Sequence, residues 1–276
     1  MSKLLSANFY RLLKNKVFWI TVCLTGFFQA AMVYDRYHIN KMSEFETYTL
    51  NDAVFEFLPF LGFVFAVFIT LFLGRENSDG TIRNKIIAGH KREFVYLSNF
   101  ITCIVGITVM YAVYTAVGLI GIPLFGKWQG GADDYIMYVL VGFFTCVAFA
   151  SIVAMISMLV TNVPIAVVLS VIVALVMVFF SSMIYQQLCQ AEFTREFVSM
   201  SASGAEYGPE IPNPAYVSGV RRQVYAFLGE FLPSGQGILA ANGELTKPFV
   251  NIAYSVLLTA GINLAGIFAF KRKDLK

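Results

Sequence analysis

The residues of this chain that could do chemistry are few, and the first candidate is a phosphate-binding loop. Gly121–Lys127 has the spacing G-x-x-x-x-G-K, in which backbone N–H groups and a lysine hold nucleotide phosphates. However, Trp128 stands where a serine or threonine would bind magnesium, and Pro123 removes a backbone donor. We therefore interpret the match as chance, and we expect any ATP to be hydrolysed on another chain.

Metal-ligating and nucleophilic residues are equally sparse. The two histidines, His38 and His90, lie in separate loops, and the sequence has no H-E-x-x-H motif or cluster with metal-ligand spacing. The four cysteines are widely separated in the sequence: Cys23, Cys103, Cys146 and Cys189. No serine has a visible basic partner. The sequence therefore predicts no catalytic residue, no metal site and a chain that is not an enzyme.

The elements that carry these residues are mostly apolar. Of the 276 residues, 58% are hydrophobic and only 13% are charged, and the mean hydropathy is +0.69. A soluble domain carries about 25% charged residues. The apolar residues also form runs long enough to cross a hydrocarbon layer about 30 Å thick. The predicted fold class is therefore an all-α membrane protein, with a single transmembrane domain over residues 1–276.

Six apolar runs predict six transmembrane helices, preceded by an amphipathic interfacial helix over residues 3–16. The predicted spans cover residues 17–34, 53–73, 97–124, 135–160, 164–185 and 249–270. The basic residues give the orientation. With the N-terminus inside, the inside segments carry four, five and four Lys or Arg residues, and the other seven are spread over longer outside segments. The positive-inside rule then places both termini in the cytoplasm.

The outside segment 186–248 is not uniformly polar. Residues 204–214 are rich in glycine and proline and predict a loop, whereas Val224–Leu232 is apolar. Pro233–Gly237 interrupts the apolar pattern, which resumes at Ile238. Each half is too short to span a membrane. We predict a re-entrant hairpin of two helices packed on the bundle, and a small soluble lid is the alternative.

Glu56 is the main charged residue inside a predicted span. A charge within a membrane helix is costly, so such a residue indicates a functional site by default. Glu56 follows Asp52 by one helical turn, near the outer end of its helix, where the cost falls. Two interpretations stay open: substrate or proton handling, and an interfacial carboxylate that reaches water.

The most informative segment is the basic stretch 75–92 between the second and third spans. An Asp-Gly turn precedes a short amphipathic helix, which Gly89 is expected to end. Ile82 and Ile86 share one face of this helix, and Arg83 points elsewhere. From this pattern alone, the helix could rest on anionic lipid or bind another protein.

The order Glu76-x-x-x-Gly80-Thr81-Ile82, followed by Lys91-Arg92, resembles the signature of type-two ABC exporter permeases. The resemblance extends to the interfacial helix, the six spans, the broken hairpin and the basic tail. In that family the short helix docks on an ATPase subunit and is called the coupling helix. The resemblance assigns ATPase coupling to Glu76, Gly80, Thr81, Ile82, Arg83, Ile86 and Gly89. The chain departs from many members at Ala88-Gly89-His90, where they have a proline.

By this resemblance, two permease subunits, identical or different, pair around a central route in the lipid bilayer. Two ATP-binding-cassette ATPase subunits bind below them and hold ATP and magnesium, so this chain would need no cofactor and would bind no nucleic acid. The resemblance implies export across a bacterial cytoplasmic membrane. Small bacterial members handle peptides such as bacteriocins or give resistance to peptide antibiotics, which makes a peptide the first expectation for the cargo and a drug or lipid the next.

In similar transporters the second and fifth spans line the route. By that analogy the route residues are Phe55, Glu56, Phe60, Phe63 and Phe180, and such an apolar wall suits an apolar or amphipathic cargo. The segment 231–236 is similar to the re-entrant gate of smaller members, which implies a gate of Phe231, Leu232, Pro233 and Gln236. Two other classes stay open: an ion-coupled secondary carrier, which usually shows internal repeats, and a membrane sensor or scaffold that moves no cargo.

Overall fold

A computed structural model describes residues 1–43, 50–121, 132–201 and 204–274 of the chain. Within this part, six helices are long and apolar enough to cross a membrane, by length and composition, and we number them spans 1 to 6. They are Lys16–Met42, Asp52–Ser78, Arg92–Ile120, Asp134–Leu159, Val163–Leu188 and Pro248–Arg272. The predicted all-α membrane fold with six spans is confirmed.

Shorter elements connect the spans. They are the N-terminal helix (Ser2–Leu13), the inter-span helix (Thr81–Ile87), strands β1 (Phe193–Ser201) and β2 (Gly204–Pro212), and the first and second hairpin helices (Gly219–Phe231 and Pro233–Ala241). One end of the bundle, which we call the terminal end, carries the N-terminal helix, the inter-span helix and the end of span 6. The strands and the hairpin helices lie at the opposite end, which we call the distal end.

Span 1 is longer than predicted, because the helix continues through the polar residues Asp35–Met42 that we expected in a loop. Asn15 begins it, since its side-chain oxygen accepts hydrogen bonds from the backbone N–H groups of Val17 (2.8 Å) and Phe18 (3.3 Å). The rest of that loop, 44–49, and the phosphate-loop resemblance at 122–127 lie outside the described residues.

Span 2 is not one continuous helix. It begins within the helix Leu50–Phe55 and continues through a 3-10 turn over Leu58–Phe60 and the helix Leu61–Ser78. Pro59 lies in the turn, and a proline lacks the N–H that would continue the ladder of helical hydrogen bonds. The backbone instead closes a tighter bond from the Phe60 N–H to the Phe57 carbonyl at 3.0 Å.

The prediction of a loop over residues 204–214 is wrong, because most of that stretch forms β2. Strand β2 pairs antiparallel with β1, from Phe193 opposite Pro212 to Ser201 opposite Gly204. The register shifts between Arg195 and Phe197, where the two β2 residues Gly208 and Pro209 lie opposite the single β1 residue Glu196. A bulge is one of the few places where a sheet tolerates proline. The long-range pairing therefore overrides the local loop composition.

The predicted helix-break-helix hairpin is present, but the break lies at Leu232 and not at Pro233–Gly237. Leu232 has an extended backbone, and Pro233 begins the second hairpin helix, a position that proline favours. Glycine at 237 permits close packing, since a Cβ there would lie 3.2 Å from the Pro59 Cα. Whether this hairpin enters the membrane stays a prediction.

The core of the described chain lies around span 2, and spans 5 and 6 are peripheral. In the most apolar 18-residue stretch of each span, the buried share is 67% for span 2 but only 22% for span 5 and 17% for span 6. Span 2 contacts spans 1, 4 and 5, and the second hairpin helix packs against spans 2, 4 and 5. The outward faces of spans 5 and 6 are therefore available to lipid or to another subunit.

Candidate functional site

A buried cluster of charged and amide side chains holds the terminal end of the bundle together. Its centre is Glu76, in the last turns of span 2, whose side chain is fully buried. One carboxylate oxygen forms ion pairs with Arg11 of the N-terminal helix and Lys85 of the inter-span helix. The other accepts a hydrogen bond from the side-chain amide of Asn99 in span 3. Together with Asn8, these residues form what we call the Glu76 cluster.

Asn8 completes the cluster from the buried face of the N-terminal helix. Its side-chain oxygen accepts a hydrogen bond from the Lys85 Nζ at 2.9 Å. Its amide nitrogen donates to the Asn99 Oδ1 at 2.7 Å. The Arg11 guanidinium also lies 4.3 Å from the centre of the Phe72 ring. The cluster therefore joins the N-terminal helix, span 2, the inter-span helix and span 3.

The electrostatics of the cluster depend on Glu76. Burial lowers the pKa of Lys85 below its ordinary value of 10.5, and the Glu76 carboxylate opposes that shift. Arg11 and Lys85 are two cations beside one anion, so removing Glu76 would leave like charges facing each other in a poorly solvated site. Buried charges of this kind are stable only when they are paired.

The inter-span helix follows the local rules that its sequence predicts. Gly80 precedes it with a φ of 65°, and Gly89 follows it with a φ of 89°, both in the left-handed region that favours glycine. After the helix, the Gly89 N–H bonds the Ile86 carbonyl at 2.9 Å, and the His90 N–H bonds the Lys85 carbonyl at 3.2 Å. This pair of bonds is a Schellman motif, so the predicted end at Gly89 is confirmed without a proline.

The exposed face of the inter-span helix is not the face that carries Ile82 and Ile86. Ile82 is only 2% exposed and Ile86 packs against the core, so these residues hold the helix on the bundle. A direct contact of Ile82 or Ile86 with an ATPase stays a prediction, and other residues of the helix are more exposed. Arg83 and Ile87 are exposed one turn apart, and Ile87 is 73% exposed. We call these two residues the outer ridge.

These features define the chain as a multi-pass membrane protein with a short helix fixed at the terminal end of its bundle. Comparison with protein families then gives the family: the sequence model of the ABC-2 family transporter proteins matches residues 4–189, more than half of the chain. The chain belongs to this family, and it is an ABC transporter permease. Members of the family work in a membrane with an ABC ATPase. No curated protein matches the chain significantly.

The residues predicted for the transport route do not all come together. Phe55 is fully buried against Tyr135 and Tyr138, and its place in the route stays a prediction. Glu56 and Phe60 line a cavity of about 400 Å³ that also reaches span 5 and the second hairpin helix. The other two predicted route residues do not line this cavity: Phe63 stacks on Phe60, and Phe180 is exposed on span 5.

Glu56 is paired with a cation. The Arg36 Nε lies 2.6 Å from one Glu56 oxygen, and the Arg36 Nη2 contacts the other, which gives a two-pronged ion pair between spans 1 and 2. Glu56 is 37% exposed and Arg36 is 15% exposed. This exposure is compatible with the second interpretation, an interfacial carboxylate that reaches water, and the role of Glu56 stays a prediction. Arg36 escaped sequence analysis because its segment was assigned to a loop.

The residues predicted for the gate lie around the break in the hairpin. Phe231 stacks on Phe227 at 5.4 Å and contacts the Tyr254 ring edge-to-face, whereas Leu232 is the break and Pro233 begins the next helix. Gln236 is fully buried at the centre of a hydrogen-bond network with spans 4 and 6. The geometry assigns these residues to the interior of the distal end, and the gating role stays a prediction.

The sequence pattern did not predict four members of the site, which are Arg11, Lys85, Asn8 and Asn99. Arg11 and Lys85 entered only as positive charges near the ends of spans. Two signals were present in the sequence: an unpaired glutamate directly after an apolar span, and an asparagine within the next apolar run, at position 99. A buried polar side chain needs partners, so these two residues had to find them at the same end of the bundle.

Proposed function

We propose that this permease exports a hydrophobic or amphipathic cargo, with a peptide as the first candidate, and that its inter-span helix binds the ATPase that hydrolyses ATP. In this proposal the terminal end faces the cytoplasm of a bacterial cell, and a second permease subunit, identical or different, covers part of span 5. ATP and magnesium are held by the partner. The observation that carries the proposal is the outer ridge, an exposed apolar and basic surface on a helix held by buried contacts.

The Glu76 cluster supports this proposal because it gives the inter-span helix a mechanical connection. A force that a partner exerts on the outer ridge would be transmitted to Lys85. From Lys85 it would pass through Glu76 to the N-terminal helix, span 2 and span 3. The apolar face of span 5 supports the choice of cargo, since its exposed residues are almost all aliphatic or aromatic. A hydrophilic cargo such as a sugar would find few hydrogen-bonding groups there.

Ile87→Asp is expected to abolish capture of the ATPase without disturbing the permease. Burying an isoleucine at an interface contributes about 1.5–3 kcal/mol, so we expect at least a tenfold loss of ATPase in co-purification from cells that express both subunits. The melting midpoint of the permease alone should not change, because Ile87 is 73% exposed.

Met42→Asp is the matched control, because Met42 is 76% exposed and lies at the distal end of span 1. It should retain the ATPase fully. Full ATPase capture by the Ile87→Asp variant would contradict the docking assignment. ATP-driven uptake of cargo into inside-out vesicles separates this proposal from an ion-coupled carrier, which needs only a gradient, and from a scaffold, which moves nothing.

The orientation can be tested with single cysteines in a background without the four native ones. Arg83→Cys should stay unlabelled by a membrane-impermeant maleimide in intact cells and become labelled after permeabilisation. Glu210→Cys, on the exposed face of β2, should be labelled in intact cells. The opposite pattern would reverse the orientation and would rule out a cytoplasmic ATPase as the partner of the inter-span helix.

A further inference from the structure

A cavity of about 370 Å³ lies at the terminal end of the bundle, between the end of the N-terminal helix, the last turns of span 2 and the start of the inter-span helix. Small-molecule sites have volumes of about 300–1,000 Å³. Its lining includes the cations Arg11, Lys14 and Arg75 and the carboxylates of Glu76 and Asp79. The cavity therefore borders the Glu76 cluster but includes charged side chains that the cluster does not use.

Two of the three cations have no carboxylate partner. Arg11 pairs with Glu76. Lys14 and Arg75 are exposed, and neither side chain forms an ion pair within the described part of the chain. The Lys14 Nζ instead lies 4.4 Å from the centre of the Tyr10 ring. The cavity therefore presents an ammonium and a guanidinium group whose N–H donors are free to bind phosphate oxygens.

The two carboxylates do not cancel this positive charge. Glu76 has no exposed side-chain surface, and both Arg11 and Lys85 pair with it. Asp79 is exposed and accepts a hydrogen bond from the Ser78 hydroxyl at 3.2 Å. When Lys85 is counted, the cavity and the adjoining Glu76 cluster hold four cations and two carboxylates. The excess of positive charge attracts an anion.

Aromatic and apolar side chains place the cavity at the depth of the lipid headgroups. Asn15, which begins span 1, is part of its lining. Tyr10 and Trp19 are both exposed, and these two residue types concentrate at the level of the headgroups. The Trp19 Nε1 donates a hydrogen bond to the Leu13 carbonyl at 2.8 Å, and the Leu13 side chain is exposed. This apolar surface next to Lys14 suits an acyl chain, which a free phosphate ion does not have.

We propose that this cavity binds the phosphate group of an anionic phospholipid. Lys14 and Arg75 contact the phosphate oxygens, and the hydroxyl of Thr81, which also lines the cavity, donates a hydrogen bond to them. The acyl chains lie along Leu13 and Trp19. A zwitterionic lipid binds more weakly, because its ammonium group is repelled by the same cations. The site goes beyond the proposed function, because lipid binding requires neither the ATPase nor a cargo.

The test is native mass spectrometry of the detergent-purified full chain, titrated with dioleoylphosphatidylglycerol, which is anionic, or with dioleoylphosphatidylcholine, which is zwitterionic. We expect the first phosphatidylglycerol to bind about tenfold more tightly than the first phosphatidylcholine. Inorganic phosphate at the concentration of the lipid should not displace phosphatidylglycerol, because it lacks the acyl chains. Equal binding of the two lipids would overturn the proposal, and displacement by inorganic phosphate would overturn the choice of a lipid as the source of the phosphate.

Variants of equal net charge separate this cavity from the general attraction of a basic surface for anionic lipid. Lys14→Gln combined with Arg75→Gln should weaken phosphatidylglycerol binding about tenfold, because both unpaired cations are lost. Lys3→Gln combined with Lys16→Gln is the matched control, since both lysines are exposed outside the cavity lining, and it should have a much smaller effect. Asp79→Asn should tighten binding, a gain that misfolding cannot produce. Equal losses in the two double variants, or weaker binding by Asp79→Asn, would overturn the proposal.

Discussion

Replacing Glu76 by alanine is expected to destabilise the permease and to separate ATP hydrolysis from transport. The substitution leaves Arg11 and Lys85 as facing cations without their shared carboxylate. Removing one partner of a buried ion pair costs about 3–5 kcal/mol, and because Arg11 is 30% exposed we expect the lower part of this range. The melting midpoint of the detergent-purified chain and ATP-driven transport in proteoliposomes are the measurements.

Glu93→Ala is the matched control for this effect. Glu93 is also a glutamate at the terminal end, and it is also paired with a lysine, Lys271, but the two side chains are 41% and 47% exposed. An exposed pair contributes little to stability, so this variant should melt close to the wild type. Equal losses in the two variants would show that burial of the Glu76 cluster has no special role.

A double variant distinguishes stabilisation from mechanical coupling. Glu76→Gln combined with Lys85→Met removes one charge of each sign, and replacing a buried ion pair by uncharged groups is often close to neutral for stability. We expect the double variant to melt above Glu76→Ala and still to transport poorly, because the inter-span helix loses its charged link to the N-terminal helix. If the double variant recovers transport as well as stability, the Glu76 cluster only stabilises the fold and has no role in coupling.

The spans and the inter-span helix were predictable because local rules determine them. An apolar run of the right length forms a helix in a membrane, since a buried backbone must bond internally. The two glycines that flank the inter-span helix, Gly80 and Gly89, occupy left-handed conformations that most residues avoid. These features need no knowledge of what lies nearby in space.

The exposed face of the inter-span helix was not predictable, because a seven-residue helix with three isoleucines has apolar residues on more than one side. Ile82 and Ile86 share a face, but so do Arg83 and Ile87. The choice is made by tertiary contacts: Lys85 reaches Glu76 and Asn8, which rotates Ile82 into the core. The spacing of hydrophobic residues alone cannot predict which face of so short a helix is buried.

Long-range partners explain the other differences. Arg11 and Glu76 are far apart in the chain, and a count of positive charges treats Arg11 like any lysine near a span. The pairing of β1 with β2 likewise depends on a partner strand, and a window of glycine and proline residues contains no information about it. Glu56 was recognised as unusual, but its partner Arg36 was hidden by a misplaced helix end.

Gln236→Leu is expected to lower the stability of the permease strongly, because it removes a hydrogen-bond network at the distal end. The fully buried Gln236 accepts hydrogen bonds from Thr145 of span 4 and Ser255 of span 6, both at 2.8 Å. Its amide donates to the backbone carbonyls of Glu230 at 2.8 Å and Asn251 at 3.1 Å. Hydrogen bonds between membrane helices contribute about 0.6 kcal/mol each on average. We expect a loss of about 2–4 kcal/mol, measured as a lower melting midpoint, because two buried carbonyls also lose their donor.

Gln236→Glu sharpens this experiment, since it keeps the shape of the side chain and replaces its N–H donors with an oxygen that faces two carbonyls. It should be at least as destabilising as the leucine, whereas Gln186→Leu, at an exposed glutamine on span 5, should have little effect. The Gln236 variants should still capture the ATPase, because the outer ridge lies at the opposite end of the bundle, and they should fail in transport. Loss of capture in these variants would mean that the two ends do not fold independently, and a normal melting midpoint would mean that the Gln236 network does not hold the hairpin in place.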